Sequence, residues 1–172
     1  MTDFIIIGNT NAVTYKEIFP LFKDNKVRFG CNTIKTFCTR NGTKEFGNVG
    51  WFSTLPVKKK TLTLTAAYDP DKYPKYENYD AINIDRIKDI PYDYDGVMGV
   101  PITILNYDLQ DIEIVGFGGD ELDKKVFEEY LKQGHNTHYG KSLLIYKKDN
   151  KWFMPFYRIM IRRTDILNNK NE

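Results

Sequence analysis

Asp3-Phe-Ile-Ile-Ile-Gly8 is a continuous apolar run closed by a glycine. Such a run is the pattern of a strand covered on both faces, which normally sits inside a parallel sheet between helices. It begins almost at the start of the sequence, with nothing before it to supply a neighbour or a cover. Thr14-Tyr-Lys-Glu17 then fits a capping box and predicts a helix from Tyr15. That helix is short, because Pro20 would break its interior and Asp24-Asn25 ends it. A second strand is expected at residues 26–31. Strand, glycine-asparagine loop, helix and strand follow the β-α-β order of an α/β protein, entered partway through.

Beyond this point the chain becomes strand-rich. Residues 33–39 and 49–55 read as strands flanking Arg40-Asn-Gly-Thr43, whose Asn-Gly pair favours a tight hairpin. Thr61-Leu-Thr-Leu-Thr65 alternates strictly, as a half-buried strand does. Residues 66–80 form a tyrosine-rich, proline-punctuated loop, long enough to be functional or mobile. Residues 81–87 alternate again, residues 90–96 turn the chain, and residues 97–105 and 112–117 read as buried strands. Residues 122–132 predict an amphipathic helix stopped by Gly134. Residues 142–148 and 152–163 are expected to pair across Asp149-Asn150 as a terminal hairpin.

With 172 residues, the chain fits one domain that buries about 70% of its unfolded surface. Aromatic residues make up 15%, and twelve of them are tyrosines with apolar bodies and hydrogen-bonding tips. A net charge of only +2 means that any nucleic-acid surface must be local. Two cysteines, Cys31 and Cys38, are too few for a disulfide framework. No signal-peptide pattern opens the sequence, and no apolar run approaches the ~20 residues of a membrane span. The expectation is a soluble, cytoplasmic protein with no membrane partner.

Gly47-Asn-Val-Gly-Trp-Phe-Ser-Thr-Leu-Pro-Val-Lys-Lys-Lys60 concentrates the chemistry. Flat aromatic faces at Trp51 and Phe52 stand beside the cations Lys58, Lys59 and Lys60. A base can stack on the one while phosphates are neutralised by the other. The same residues also suit a core strand followed by a solvated turn. Arg86, Lys88, Arg158, Arg162 and Arg163 extend the basic set. Alternation puts Arg158 and Arg162 on one side of the last strand, opposite Tyr157, Ile159 and Ile161.

Other motifs are weaker. Val115-Gly-Phe-Gly-Gly-Asp120 begins like a nucleotide-binding turn but lacks the third spaced glycine, so a plain strand-to-helix turn fits better. His135 and His138, even with Cys31 and Cys38, lack the spacing of a zinc knuckle, and no metal site is expected. No nucleophile elbow is present, and no catalytic residue is assigned.

Five blocks carry a resemblance: Phe4-Ile-Ile-Ile-Gly-Asn-Thr-Asn-Ala12, Tyr15-Lys-Glu-Ile-Phe-Pro20, Gly47-Asn-Val-Gly-Trp-Phe52, Tyr73-Pro-Lys-Tyr-Glu-Asn-Tyr-Asp80 and Tyr94-Asp-Gly-Val-Met-Gly-Val-Pro-Ile-Thr103. With the closing Tyr157-Arg-Ile-Met-Ile-Arg162, they resemble the EcoRI-type adenine-specific DNA methyltransferases. The resemblance implies methyl transfer from S-adenosylmethionine to adenine N6 in a defined DNA sequence, within a restriction-modification type system. It also implies an upstream glycine-containing cofactor motif and an Asn-Pro-Pro-Phe tetrapeptide. The sequence has no Pro-Pro, and Asn9-Thr-Asn-Ala12 cannot serve in its place.

The resulting expectation is the C-terminal portion of a Rossmann-like methyltransferase sheet. Residues 1–60 would end the catalytic domain, and residues 61–172 would form a β-rich DNA-recognition region packed with it. Phe52 or Trp51 would stack on a flipped adenine. Lys58, Lys59, Lys60, Arg158 and Arg162 would bind DNA. S-adenosylmethionine is not expected to bind these residues alone, and a complementing N-terminal chain or self-association would cover the exposed sheet edge. The competing expectation is a DNA-binding or regulatory module that has lost catalysis.

Overall fold

The computed structural model describes residues 2–118, 122–135, 137 and 142–168. The chain divides into two compact units, one of Met1–Thr61 with Leu105–Asp108, the other of Leu62–Ile104 with Leu109–Glu172.

The first unit is built on three strands, β1 (Ile5–Asn9), β2 (Arg28–Thr39) and β3 (Gly42–Ser53), in the order β1-β3-β2. Both outer strands run antiparallel to β3. This corrects the β-α-β reading, since β1 and β2 do not pair with each other. It also corrects the expected burial of β1. Ile5, Ile6 and Ile7, which alternate between the two faces of this edge strand, are 57%, 54% and 47% exposed, so the described residues cover neither face of β1 well.

A 3₁₀ turn at Thr10–Thr14 follows, capped by Asn9, whose side-chain oxygen accepts the Asn11 N–H at 2.9 Å. The capping box at Thr14 does not form, because the Thr14 hydroxyl instead donates to the Asn11 carbonyl at 2.8 Å. Helix α1 (Phe19–Lys23) therefore starts later than Tyr15. Pro20 lies in its first turn, where a missing N–H costs nothing, so it begins the helix rather than breaking it.

The strands expected at residues 26–31 and 33–39 are one strand, β2, with register shifts between Phe29 and Thr33 and between Ile34 and Thr36. The Asn-Gly hairpin is present. Thr39 pairs with Gly42, which has φ 110° and accepts the Thr39 hydroxyl on its carbonyl at 2.6 Å. Phe22, Phe29 and Phe52 close the core of this unit, with ring centroids 4.7 to 5.8 Å apart.

The second unit holds β4 (Ile82–Asn83), β5 (Met98–Pro101), β6 (Ile112–Phe117), α2 (Lys124–Lys132), β7 (Tyr146–Lys148), β8 (Lys151–Phe153), β9 (Arg158–Arg163) and α3 (Asp165–Asn168). Four strands make a mixed sheet in the order β4-β5-β9-β6, with β4 and β5 parallel and the rest antiparallel. The parallel pairing is confined to two residues, and the described residues form no doubly wound parallel sheet. The fold is a strand-rich mixed α/β arrangement. Ile82, Met98, Val100, Ile159, Met160 and Ile161 are fully buried along the central strands.

Three expected strands change here. Residues 61–65 make no ladder, although Leu62 and Leu64 are half-buried and the threonines between them exposed. The strand at residues 97–105 stops at Pro101 and becomes a 3₁₀ turn, Ile102–Asn106. The terminal hairpin is limited to β7 and β8, turned by Asp149 and Asn150 at φ 50° and 58°. After Pro155, which has no N–H to give a ladder, β9 leaves to join β5 and β6. Helix α2 forms as expected, with Asp123 accepting the Lys125 N–H at 2.9 Å and Gly134 at φ 83° beyond its end. Within the loop of residues 66–80, Tyr73 and Tyr76 are buried, and Tyr68 stacks with Tyr73 at 5.9 Å and meets Tyr94 at a tilt at 4.5 Å.

Candidate nucleic-acid interface

The candidate site lies within the first unit. As β3 ends, Ser53 and Thr54 tie the chain back to the start of β1. The Ser53 hydroxyl donates to the Phe4 carbonyl at 3.2 Å, and Thr54 Oγ1 accepts the Phe4 N–H at 2.9 Å. Arg28 Nη1 donates to the Thr54 carbonyl at 3.1 Å. At the far end, the Lys60 N–H donates to the Asn106 carbonyl at 3.0 Å and the Asp108 N–H to the Lys60 carbonyl at 2.8 Å. The lysine run is thus pinned on both sides.

From Pro56 to Lys60 exposure alternates, as it does in extended backbone. Lys58 and Lys60 are exposed, while Lys59 is half-buried and donates to Asn25 Oδ1 at 3.2 Å. Burial holds the Lys59 amine below its ordinary pKa, helped by the Arg28 charge and opposed by Asp108. Lys60 Nζ lies 6.0 Å from the centre of the Tyr107 ring.

Two clefts meet along this segment, sharing Gly30, Val57 and Lys58. One, of about 610 Å³, is lined by all three lysines with Phe29 and Asn106. The other, of about 460 Å³, is lined by Trp51, Ile5, Leu55 and Pro56. A cationic cleft therefore continues into an apolar one that an indole borders.

The two aromatic candidates part company here, because consecutive residues of a strand face opposite ways. Phe52 is 5% exposed and held edge-on by Phe22 and Phe29. Trp51 is half-buried and borders the apolar cleft. Its position requires Gly30, where a Cβ would stand 2.6 Å from the Trp51 Cβ. A glycine inside a strand pattern signals such a close approach, and that was the available sign at Gly30.

Arg158 and Arg162 belong to the second unit. Arg158 is 6% exposed. Its Nε donates to Asn83 Oδ1 at 3.1 Å, its Nη1 to the Phe156 carbonyl at 3.0 Å and its Nη2 to Asp85 at 3.2 Å. Asn83 Oδ1 also accepts the Tyr76 hydroxyl at 2.8 Å, and Asn83 Nδ2 donates to Asp85 at 2.8 Å. Burial is the main cause pushing the Tyr76 phenol well above its ordinary range. Nothing in the sequence pattern announces this network. Arg162 is partly exposed and pairs with Glu113 at 3.0 Å, and Arg86 pairs with Asp89 at 2.7 Å.

Among the described residues no cluster of His, Cys, Asp and Glu could hold a metal ion, and no helix is long and apolar enough to cross a membrane. His135 stacks on Tyr130 at 4.7 Å, and Cys38 is exposed. His138 and Asp120 lie outside the described residues.

The family model for the adenine-specific methyltransferase EcoRI matches residues 1–164. This chain belongs to the EcoRI adenine-specific methyltransferase family. It is 38% identical over 149 residues to the type II methyltransferase M.EcoRI of Escherichia coli, covering 72% of this chain and 46% of that protein. It is 35% identical over 137 residues to M.MgeORF184P of Mycoplasma genitalium, covering 65% and 43%. It is 31% identical over 127 residues to M.MpnI of Mycoplasma pneumoniae, covering 60% and 40%. The chain thus spans less than half the length of each of these relatives. No solved structure is significantly similar to it.

Proposed function

We propose that this chain forms part of a site-specific DNA adenine-N6 methyltransferase of the restriction-modification type, supplying DNA binding and target-base recognition. The observation that carries the reading is Trp51 on an apolar cleft that runs into the cleft of Lys58, Lys59 and Lys60. An adenine out of the duplex needs a flat apolar partner, and its flanking phosphates need cations. Trp51 fits the platform better than Phe52, which is buried in edge contact with Phe22 and Phe29. Lys58 and Lys60 fit phosphate contacts better than Lys59, which is held by Asn25. Arg162, on the second unit, is a further DNA contact, and Arg158 supports that unit from within.

S-adenosylmethionine is the methyl donor that the family implies. The described residues do not fit it. At the Gly116-Phe-Gly118 turn, a Cβ on Gly118 would meet Leu144 Cδ1 at 2.6 Å and Met160 Cε at 2.7 Å, so core side chains fill that space. The clefts beside the lysines present no carboxylate to receive a ribose. No step of methyl transfer is assigned to these residues. A second polypeptide segment would supply the donor pocket and catalytic tetrapeptide, and the Rossmann-like sheet would be completed there.

The test is binding of the 172-residue chain to duplex DNA carrying 2-aminopurine in place of adenine, over a salt series. Salt-dependent binding that weakens when Lys58, Lys59 and Lys60 become alanine is expected, with a fluorescence change lost in Trp51→Ala. Unchanged affinity in the lysine variant would return those residues to a solvated turn. Adenine methylation by this chain without a second polypeptide would overturn the division of labour.

A further inference from the structure

Beyond residue 49 of the first unit, β3 loses β1 as a neighbour and continues toward the hairpin turn paired with β2 alone. Residues 41–48 are all exposed, as are Lys35, Thr36 and Cys38 on the other strand. The register sorts the side chains of this ribbon by face. Phe37 opposes Lys44, and Phe37 and Phe46 meet edge-on at 5.3 Å. Lys35, exposed two residues before Phe37, stands at the register shift between Ile34 and Thr36. The opposite face carries Thr36 against Glu45 and Cys38 against Thr43. One face is therefore cationic and aromatic, the other polar with a single acid, and Arg40 stands at the turn.

We infer that this ribbon enters a groove of duplex DNA, with Lys35, Lys44 and Arg40 on phosphates or base edges and Phe37 and Phe46 against the groove wall. The inference rests on the DNA-binding reading above but names a contact separate from the lysine run. Two observations favour a duplex as occupant. Three cations against one acid, which lies on the other face, complement a polyanion. The dimensions also agree. Five to six residues per strand reach roughly 15–20 Å at ~3.3 Å each. The major groove, about 12 Å wide and 8.5 Å deep, admits a two-stranded ribbon.

The experiment compares the full 172-residue chain with Lys35→Ala/Lys44→Ala and with Thr36→Ala/Thr43→Ala, on a mixed-sequence duplex over a salt series. Each lost phosphate contact should flatten the log–log salt slope by about 0.9, so the lysine pair should flatten it by about 1.8. The threonine pair should leave slope and affinity as they are. Arg40→Ala should weaken binding as a third step. All of these residues but the partly buried Phe37 are exposed, so circular dichroism should show an unchanged fold. Wild-type slope and affinity in the lysine pair would overturn the inference, leaving a solvated or protein-binding ribbon. Should that happen while the variant lacking Lys58, Lys59 and Lys60 still binds less, the proposed function stands without it. If the unmodified chain shows no salt-dependent binding, both fall together.

Discussion

Trp51 and Gly30 are in obligatory contact: any side chain at position 30 would have to displace the tryptophan that borders the apolar cleft. The atom met is the Trp51 Cβ, which is fixed to the backbone of β3 and cannot swing away. Gly30→Ala should therefore cost about 1–3 kcal/mol, the range for forced overpacking. It should also move Trp51 enough to weaken DNA binding. Thermal unfolding and a binding isotherm on the same variant check both.

Neighbours on β3 should separate cleanly when truncated. Phe52→Ala removes a ring enclosed by Phe22 and Phe29, and a loss of about 3–5 kcal/mol is expected. Trp51→Ala should unfold at much closer to the wild-type temperature. It should instead lose about 1–3 kcal/mol of affinity for DNA with an unpaired adenine, the range for stacking one base. If Trp51→Ala binds such DNA normally, the platform assignment is wrong.

Arg158 should behave as a structural residue. Its guanidinium reaches Asn83, Asp85 and the Phe156 carbonyl at once, a fork that an ammonium cannot copy. Both Arg158→Ala and Arg158→Lys should lower stability, the former by about 1–3 kcal/mol. Neither should change the salt slope of DNA binding. A flattened slope in Arg158→Ala would place the residue at the DNA surface instead.

Asp165, at the start of α3, should give the unfolding curve an acid limb. Its carboxylate accepts from Arg163, the largest cause holding its pKa below the ordinary value. A depressed folded-state pKa means that the stabilisation is present above the unfolded pKa and lost as pH falls through the folded one. Asp165→Asn should flatten the pH dependence of stability below the ordinary carboxylate range and leave the alkaline side unchanged. Chemical unfolding at a series of pH values measures it.

What could be read in the sequence was local. The Asn41-Gly42 turn demands a backbone that glycine adopts freely, and the hairpin there follows from two residues. Asp123 and Gly134 bracket α2 in the same way. Partnership between strands was not local. The run at residues 4–7 is apolar enough for a sheet interior, but pairing only with β3 leaves its isoleucines half in solvent. Residues 61–65 alternate without any strand beside them to complete a ladder. Alternation told which side Arg158 takes on β9, and left open whether that side was water or a buried network with Asn83. Trp51 and Phe52 were equivalent as letters, and the two phenylalanine rings packed against Phe52 decided between them.

The outward isoleucines of β1 also bear on what happens to this polypeptide when nothing lies against it. Three β-branched residues in a row, without charge or proline among them, on a strand with a free edge, make a template for cross-β stacking. Solutions of the chain alone should form thioflavin-positive fibrils sooner than those of Ile6→Lys, whose charge would repel like copies at each layer. The residues that would hold this strand inside a larger sheet are the ones that make it sticky in isolation. Its lifetime as a dispersed molecule is then set by how quickly something occupies β1.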